Sequence, residues 1–232
     1  MNKDDQDRIS RQKSLVAARA GLRSGRQLRL QAEQAPAVPC LADALEMPPP
    51  AGGLHILQRG AVQGPVSAII APRRPLDPEE LQRLRATGLP LIDSDFIVDE
   101  YQIPEARVDG MSSFFLECGL LEVPTLQYFL EIGREYGMEA ILSCGDGAAL
   151  EKALATDARI TGVTGARPAD LTFLLERLKM KSPERLRLLL EVIGPQEIRA
   201  LCHGMIRDMA DTPPDGSGGG DRKTISDGGL EI

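Results

Sequence analysis

Apolar residues along the chain fall into short clusters that alternate with longer stretches of helical spacing. Residues 54–57 and 66–70 are two brief apolar runs of strand length. Asp77, Pro78, Glu79 and Glu80 then open a helix, because Asp77 can cap it and Pro78 suits its first position. Leu81 and Leu84 give that helix an apolar face, and Gly88 stops it before the strand expected at 89–92. The alternation continues with a strand at 112–116 and a helix carrying Leu126, Phe129, Leu130 and Gly133, ended by Gly137. Next come a strand at 139–142 and a helix capped by Asp146 with Ala149, Leu150, Ala153 and Leu154 on one face. A strand at 159–163 precedes a helix bearing Leu171, Leu174, Leu175 and Leu178. A last helix is expected from near Pro195, burying Ile198, Leu201, Cys202, Met205 and Met209. Strands that alternate with helices of this size predict an α/β fold with a parallel sheet.

One segment is ambiguous. Ser182, Pro183 and Glu184 resemble a helix start, yet Leu186, Leu188 and Leu190 alternate as in a strand. Pattern alone leans to helix.

The two ends of the chain differ from this body. Residues 7–34 lack proline and are rich in helix formers, which predicts one or two helices outside the main core. Pro36, Pro39 and the run at 48–53 punctuate the approach to the body. From 211 to 232 the chain is Gly, Pro, Ser and charge, which predicts a disordered tail. The expected division is a basic helical extension at 1–35, a domain at 36–210 and the tail at 211–232.

Charge sharpens the contrast. The net charge is −7. Residues 1–34 carry eight Lys or Arg against four acids, a balance of +4 that leaves −11 for the rest. A basic face of this kind can bind RNA or an acidic surface, or lie on the acidic body of its own protein. The absence of aromatics to stack on bases favours the second.

At 232 residues with 42% hydrophobic positions, the chain can bury a substantial core. Aromatics are only 3%, with no Trp, and with the acidic balance this argues against nucleic acid as the main partner. No apolar run reaches bilayer-spanning length, so no membrane association is expected. The polar first residues do not read as a signal peptide, and the expected location is cytoplasmic. Cys40, Cys118, Cys144 and Cys202 are scattered without metal-ligand spacing and read as buried free thiols. His55 and His203 are too few for a His-based metal or triad site, so no metal is expected.

Residues 89–107, Leu-Pro-Leu-Ile-Asp-Ser-Asp-Phe-Ile-Val-Asp-Glu-Tyr-Gln-Ile-Pro-Glu-Ala-Arg, closely resemble the third barrel strand and following helix of indole-3-glycerol phosphate synthases. The family's run there is Leu-Pro-Val-Leu-Arg-Lys-Asp-Phe-Ile, an aliphatic, Asp, any residue, Tyr-Gln-Ile, any residue, Glu-Ala-Arg. The similarity continues through 137–142 and 158–162, and more weakly through 188–201. The resemblance implies a TIM barrel of the (β/α)8 type with an N-terminal helical extension. It also implies tryptophan biosynthesis. The family closes an indole ring on 1-(2-carboxyphenylamino)-1-deoxyribulose 5-phosphate, losing carbon dioxide and water, without a cofactor. Lysines and glutamates at the C-terminal strand ends supply acid and base there.

At the positions that the resemblance makes functional, this chain departs. The first-strand Glu-x-Lys becomes Leu57-Gln58-Arg59. The third-strand Lys becomes Ser94 and the Arg before it Asp93. The fifth-strand Glu becomes Ser143, followed by Cys144. The sixth-strand Asn falls near Thr164 and the Arg near Ala166. On the seventh strand the Glu is retained as Glu191, with Val192 after it in place of Ser. A hydroxyl cannot replace an ammonium as acid, and a guanidinium does not give up its proton near neutral pH.

The expected site is therefore Glu191 as the surviving carboxylate, with Arg59, Ser94, Phe96, Ser143 and Thr164 lining a substrate pocket. Cys144 reads as an apolar filler rather than a nucleophile. Arg73-Arg74 reads either as a phosphate contact or as an exposed turn. The scaffold also looks shortened. Only residues 60–65 separate the first two strand candidates, fewer than a parallel crossover ordinarily needs. No eighth strand is apparent after Met209. The expectation is an incomplete or rearranged barrel whose open edges a second copy or another protein would cover.

Three functions fit: a catalytically impaired relative with an interaction or regulatory role, an active synthase with a rearranged site, and a non-catalytic binder of an anthranilate-like or sugar-phosphate ligand. The loss of several acid and base positions together favours the first, with a phosphorylated small molecule as the expected ligand.

Overall fold

The computed structural model describes residues 3–49, 55–59, 64–165, 167–190 and 196–207. Two helices come first, α1 (Lys3–Leu22) and α2 (Gly25–Glu33), followed by the short α3 (Leu41–Glu46). Strands and helices then alternate: β1 (His55–Arg59), β2 (Ala68–Ile70), α4 (Pro78–Ala86), β3 (Leu91–Phe96), α5 (Gln102–Val108), β4 (Ser113–Glu117), α6 (Val123–Glu135) and β5 (Glu139–Cys144). The series ends with α7 (Gly147–Leu154), β6 (Ile160–Val163), α8 (Pro168–Lys181), β7 (Leu186–Leu189), α9 (Gln196–Arg199) and β8 (Gly204–Arg207). All eight strands are parallel and pair in sequence order into a closed barrel, β8 returning to β1 through His55 opposite Gly204. This is a TIM-barrel fold.

The period-2 rule sorts each strand into an inner and an outer face. Leu57, Ile70, Ile92, Phe115, Ile141, Ile160, Leu188 and Ile206 fill the interior, and α3 closes the lower end with Leu41, Ala42 and Leu45. The alternate positions, among them Ile69, Leu91, Phe114, Leu116 and Leu142, meet the helices in a second cluster around the sheet. Gly162 is required on the inner face, since a Cβ there would stand 2.5 Å from the Leu190 side chain.

The local signals act as their chemistry dictates. The Asp77 carboxylate accepts from the backbone N–H of Glu79 and Glu80, 3.0 Å each, and Pro78 opens α4. Asp146 caps α7 through the N–H of Ala149 at 2.8 Å. Gly88 and Gly137 end their helices at φ of 68° and 66°.

Three expectations are corrected. First, β1 and β2 are adjacent parallel neighbours, with Leu57 opposite Ala68. That register requires the eight residues 60–67 to step back only two strand positions, roughly 7 Å, and across one spacing of about 5 Å. Eight residues reach about 26 Å, so no helix is needed.

Second, the expected last helix is a short α9 followed by β8, which places Met205 in a strand; Pro195 and Met209 lie outside the described residues. Ile198, Cys202 and Met205 are all buried, so their helical spacing was real burial, carried by α9, the loop after it and β8. Third, β8 closes the sheet, so no open barrel edge remains among the described residues to call for a covering partner. Residues 186–189 form β7, as the resemblance implied against the pattern. The tail at 211–232 lies outside the described residues. No described helix is long and apolar enough to cross a membrane.

Candidate functional site at the barrel mouth

The C-terminal ends of the strands surround a cavity of about 210 Å³. Each lining position continues an inner-face register upward from the core. Arg59 follows Leu57 on β1, Ser94 follows Ile92 on β3, Glu117 follows Phe115 on β4, and Ser143 follows Ile141 on β5. Thr164 comes just after β6 and Leu190 just after β7, while Phe115 and Ile206 form the floor. All five pocket positions expected from the sequence, Arg59, Ser94, Phe96, Ser143 and Thr164, are thus brought together. Glu191, the expected carboxylate, lies outside the described residues, as do Ala166 and Val192.

Two charged mouth residues, Glu117 and Arg8, were not expected from the sequence, and a third, Arg73, was left open between a phosphate contact and a turn. Glu117 is the carboxyl on the cavity wall. Burial pushes its pKa up, while the Ser143 side chain and the Arg8 charge hold it back. Its signal was available in the alternation Ser113, Phe115, Glu117, which turns from core to mouth. Arg8 comes from α1, far from Phe96 in sequence, and its guanidinium stands 5.4 Å from the centre of the Phe96 ring. No spacing rule reaches that far. Arg73 follows β2 and lines the mouth from its exposed loop. The Ser94 hydroxyl is buried and has no hydrogen-bond partner among the described residues.

Behind the wall, the outer face of β3 carries a network of charges. Arg74 is almost fully buried and pairs with Asp93 at 2.9 Å, with Asp109, and with Glu105 at 3.7 Å. Arg19 of α1 donates to both Glu105 oxygens at 3.1 Å and lies 3.8 Å from Asp95. The Arg73-Arg74 pair therefore splits its roles: Arg73 faces the cavity and Arg74 neutralises buried carboxylates. Burial raises the pKa of Asp95 and of Glu105; the neighbouring Asp93 adds to the first, and both arginines oppose the rise in each. Asp93 and Asp95 point outward and Ser94 inward, as alternation along one strand demands.

The same network fastens the basic extension. Arg19 and Arg29 of the extension reach Glu105 and Glu100, and Leu28 and Ala32 of α2 are buried at its base. The basic helices lie on the acidic body of their own chain.

The cysteines have no place in this chemistry. Cys118, Cys144 and Cys202 are buried thiols and Cys40 is half-buried. The hydrogen bond with the neighbouring Cys118, and then burial, push the Cys144 pKa upward, which keeps it a thiol. Among the described residues no three His, Cys, Asp or Glu side chains converge as a metal site would require.

The site can therefore attract an anion through three guanidinium groups and offer hydroxyls as hydrogen-bond partners. A carboxyl with a raised pKa stands beside them.

Residues 77–186 match the family model described as indole-3-glycerol phosphate synthase. The chain is similar to an enzyme so named from Methanothermobacter marburgensis, 34% identical over 129 residues, which cover 53% of this chain and 46% of that one. It is 38% identical over 102 residues to the one from Campylobacter jejuni subsp. doylei, covering 43% of this chain and 40% of the other. Against an Arthrobacter species it is 42% identical over 79 residues, 34% of this chain and 29% of the other. The matched stretch spans less than half the length of each relative. Among solved structures, the carboxyl transferase domain of Rhizobium etli pyruvate carboxylase superposes with a TM-score of 0.54 at 12% identity, over 75% of this chain and 45% of that one. That likeness is one of fold.

Proposed function

We propose, from the match of residues 77–186 to the indole-3-glycerol phosphate synthase family model, that the chain is a catalytically impaired member of that family whose barrel mouth binds a phosphorylated small molecule. What supports this reading above all is the chemistry of Ser94 and Ser143. They occupy the inward mouth positions of β3 and β5, where the family resemblance implies a lysine and a glutamate. Ring closure with loss of water needs proton donors and acceptors that titrate near the working pH. Hydroxyls do not, and the guanidinium groups of Arg8, Arg59 and Arg73 hold their protons throughout. Those groups are suited to holding a phosphate, through charge and directed N–H donors.

The test is turnover of 1-(2-carboxyphenylamino)-1-deoxyribulose 5-phosphate by the purified chain, followed by indole fluorescence, alongside thermal melting with the same compound. The expected result is no turnover above background together with a raised melting temperature, because a ligand that binds only the folded state stabilises it. A second reading, a working site rebuilt around Glu117, is favoured by the raised pKa of that carboxyl in the cavity wall. Turnover that disappears in Glu117→Gln would establish it and overturn the first.

A further inference from the structure

A second cavity, of about 250 Å³, lies at the N-terminal end of the strands, away from the mouth. Leu89 and Leu91 at the start of β3, Val108 at the end of α5, and the linker with Val38 enclose it. Two of its lining side chains are polar, and both are guanidinium groups: Arg85 and Arg107.

Arg107 is 6% exposed. Its Nε donates to the Tyr136 carbonyl at 2.9 Å, and its Nη2 donates to the carbonyls of Ala35 at 3.1 Å and Pro36 at 2.6 Å. These bonds fix the plane of the group and fasten the linker to the barrel. They supply no negative charge. The remaining nitrogen, Nη1, is buried and has no partner among the described residues. The contrast with Arg74 is direct, since Arg74 is buried against three carboxylates. A guanidinium keeps its charge in such a setting, and a buried charge without a counter-ion is costly. Burial accordingly lowers the Arg107 pKa with no opposing carboxylate. At the rim, Arg85 is held by the carbonyls of Asp109 at 3.1 Å and Val108 at 2.7 Å. The positive φ of Gly110, 78°, brings that loop in so closely that a Cβ would stand 2.8 Å from Arg85 Nε. Two cations are thus pre-positioned by backbone carbonyls at one apolar cavity.

We infer that this cavity binds a small organic carboxylate, its anion between Arg107 Nη1 and the Arg85 guanidinium and its apolar body against Val38, Leu89 and Leu91. A carboxylate fits better than a phosphate. The walls are apolar, and a single buried nitrogen cannot serve the several oxygens of a dianion. The site is independent of the mouth.

Calorimetric titration of the full chain with benzoate tests the assignment, with benzamide as its neutral isostere and inorganic phosphate as the competing anion. Saturable 1:1 binding of benzoate is expected, about tenfold or more tighter than benzamide, because a charge-assisted bond to Nη1 is lost with the neutral amide. Val38→Phe fills the cavity while leaving the Arg107 bonds in place, and is expected to weaken benzoate about tenfold or more. Arg107→Gln is expected to do the same, and if that variant fails to fold, Val38→Phe carries the test. Arg59→Ala, at the mouth, is expected to leave benzoate affinity unchanged. The inference is overturned by no benzoate binding up to about 10 mM, which would mean that Nη1 is served by water alone. Equal affinity for benzamide, displacement by phosphate, binding that survives Val38→Phe, or loss in Arg59→Ala would each overturn it as well.

Discussion

On β3, Ile92 and Ser94 face into the barrel while Asp93 and Asp95 face the helices, so one strand serves two regions. The outer region runs on into α5. There the Gln102 side chain accepts from the N–H of Val98 at 2.8 Å and of Asp99 at 3.2 Å, and donates to the Phe96 carbonyl at 3.1 Å. Ile103 and Ala106 pack into the layer between sheet and helices, and Arg107 ties the linker. Almost every side chain in this region is buried or paired. At the mouth, by contrast, Arg8, Arg59 and Arg73 are exposed and Ser94 Oγ has no partner among the described residues. The residues that carry the family likeness are those that fold the barrel. Those that would carry its chemistry, Ser94 and Ser143, stand on the inner face at the mouth and make none of the ion pairs that hold the outer layer. Similarity along 89–107 therefore measures architecture, and activity has to be judged at the mouth.

The sharpest way to break that comparison is to truncate one residue from each region. Ile103→Ala removes a side chain that is 0% exposed and is expected to cost about 2–5 kcal/mol. Ser94→Ala removes a hydroxyl that makes no bond to a described residue, and is expected to change stability by less than about 0.5 kcal/mol. Urea titration of both variants reads the difference as a shift of midpoint at constant slope. Equal shifts would mean that the mouth is as tightly built as the β3–α5 layer.

A smaller effect is expected for Gln102→Ala. It leaves two backbone N–H groups and one carbonyl without their partner, at a cost of about 1–3 kcal/mol. Amide hydrogen exchange at Val98 and Asp99 should accelerate with it. Unchanged protection would show that water replaces the side chain without cost.

Arg73→Ala sharpens the comparison from the other side. The side chain is exposed, so the melting temperature of the free protein is expected to hold. Affinity for a phosphate-bearing ligand is expected to fall about tenfold, or about 1.4 kcal/mol. A loss of stability with no loss of affinity would return Arg73 to the role of a turn residue.

The sequence was most legible where one local interaction decides the outcome. Asp77 and Pro78 announced the start of α4, Gly88 and Gly137 the ends of two helices, and the leucines of α8 their buried face. It was least legible where a decision is made across the sheet. β8 is four residues long, too short to show alternation, and Ile198, Cys202 and Met205 imitated a helix although they belong to α9, a loop and β8. The return from β1 to β2 was judged by the length of a helical crossover, when the register of Ala68 on Leu57 demands much less. The five pocket positions were located only because the resemblance gave their strands. Glu117 was missed although it continues the Ser113, Phe115 alternation, because that resemblance did not mark its position. Arg8 was invisible because its approach to Phe96 depends on how α1 lies against the body.

Glu117 gives the smallest effect and the most direct view of the mouth as an environment. Burial raises its folded-state pKa, against the opposing pull of Ser143 and Arg8. The folded carboxyl therefore takes up a proton at higher pH than the unfolded one. By linkage, its contribution to stability is fully present below the unfolded value and is lost as pH rises through the folded value. Glu117→Gln keeps the shape of the protonated form and removes the titration. At pH 7 this variant is expected to melt no lower than the parent, and the gap between the two should close as pH falls through the Glu117 transition. Asp95 and Glu105 shift in the same direction, and exposed Glu151, Asp157 and Asp170 in the other, but all five are present in both proteins and drop out of the difference. Melting curves of both proteins between pH 4 and 7 measure it. A variant that melts lower at pH 7 would mean that Arg8 and Ser143 outweigh burial, so that the mouth is organised around a carboxylate. It would then be closer to a charged, working site than the loss of its lysine and glutamate positions implies.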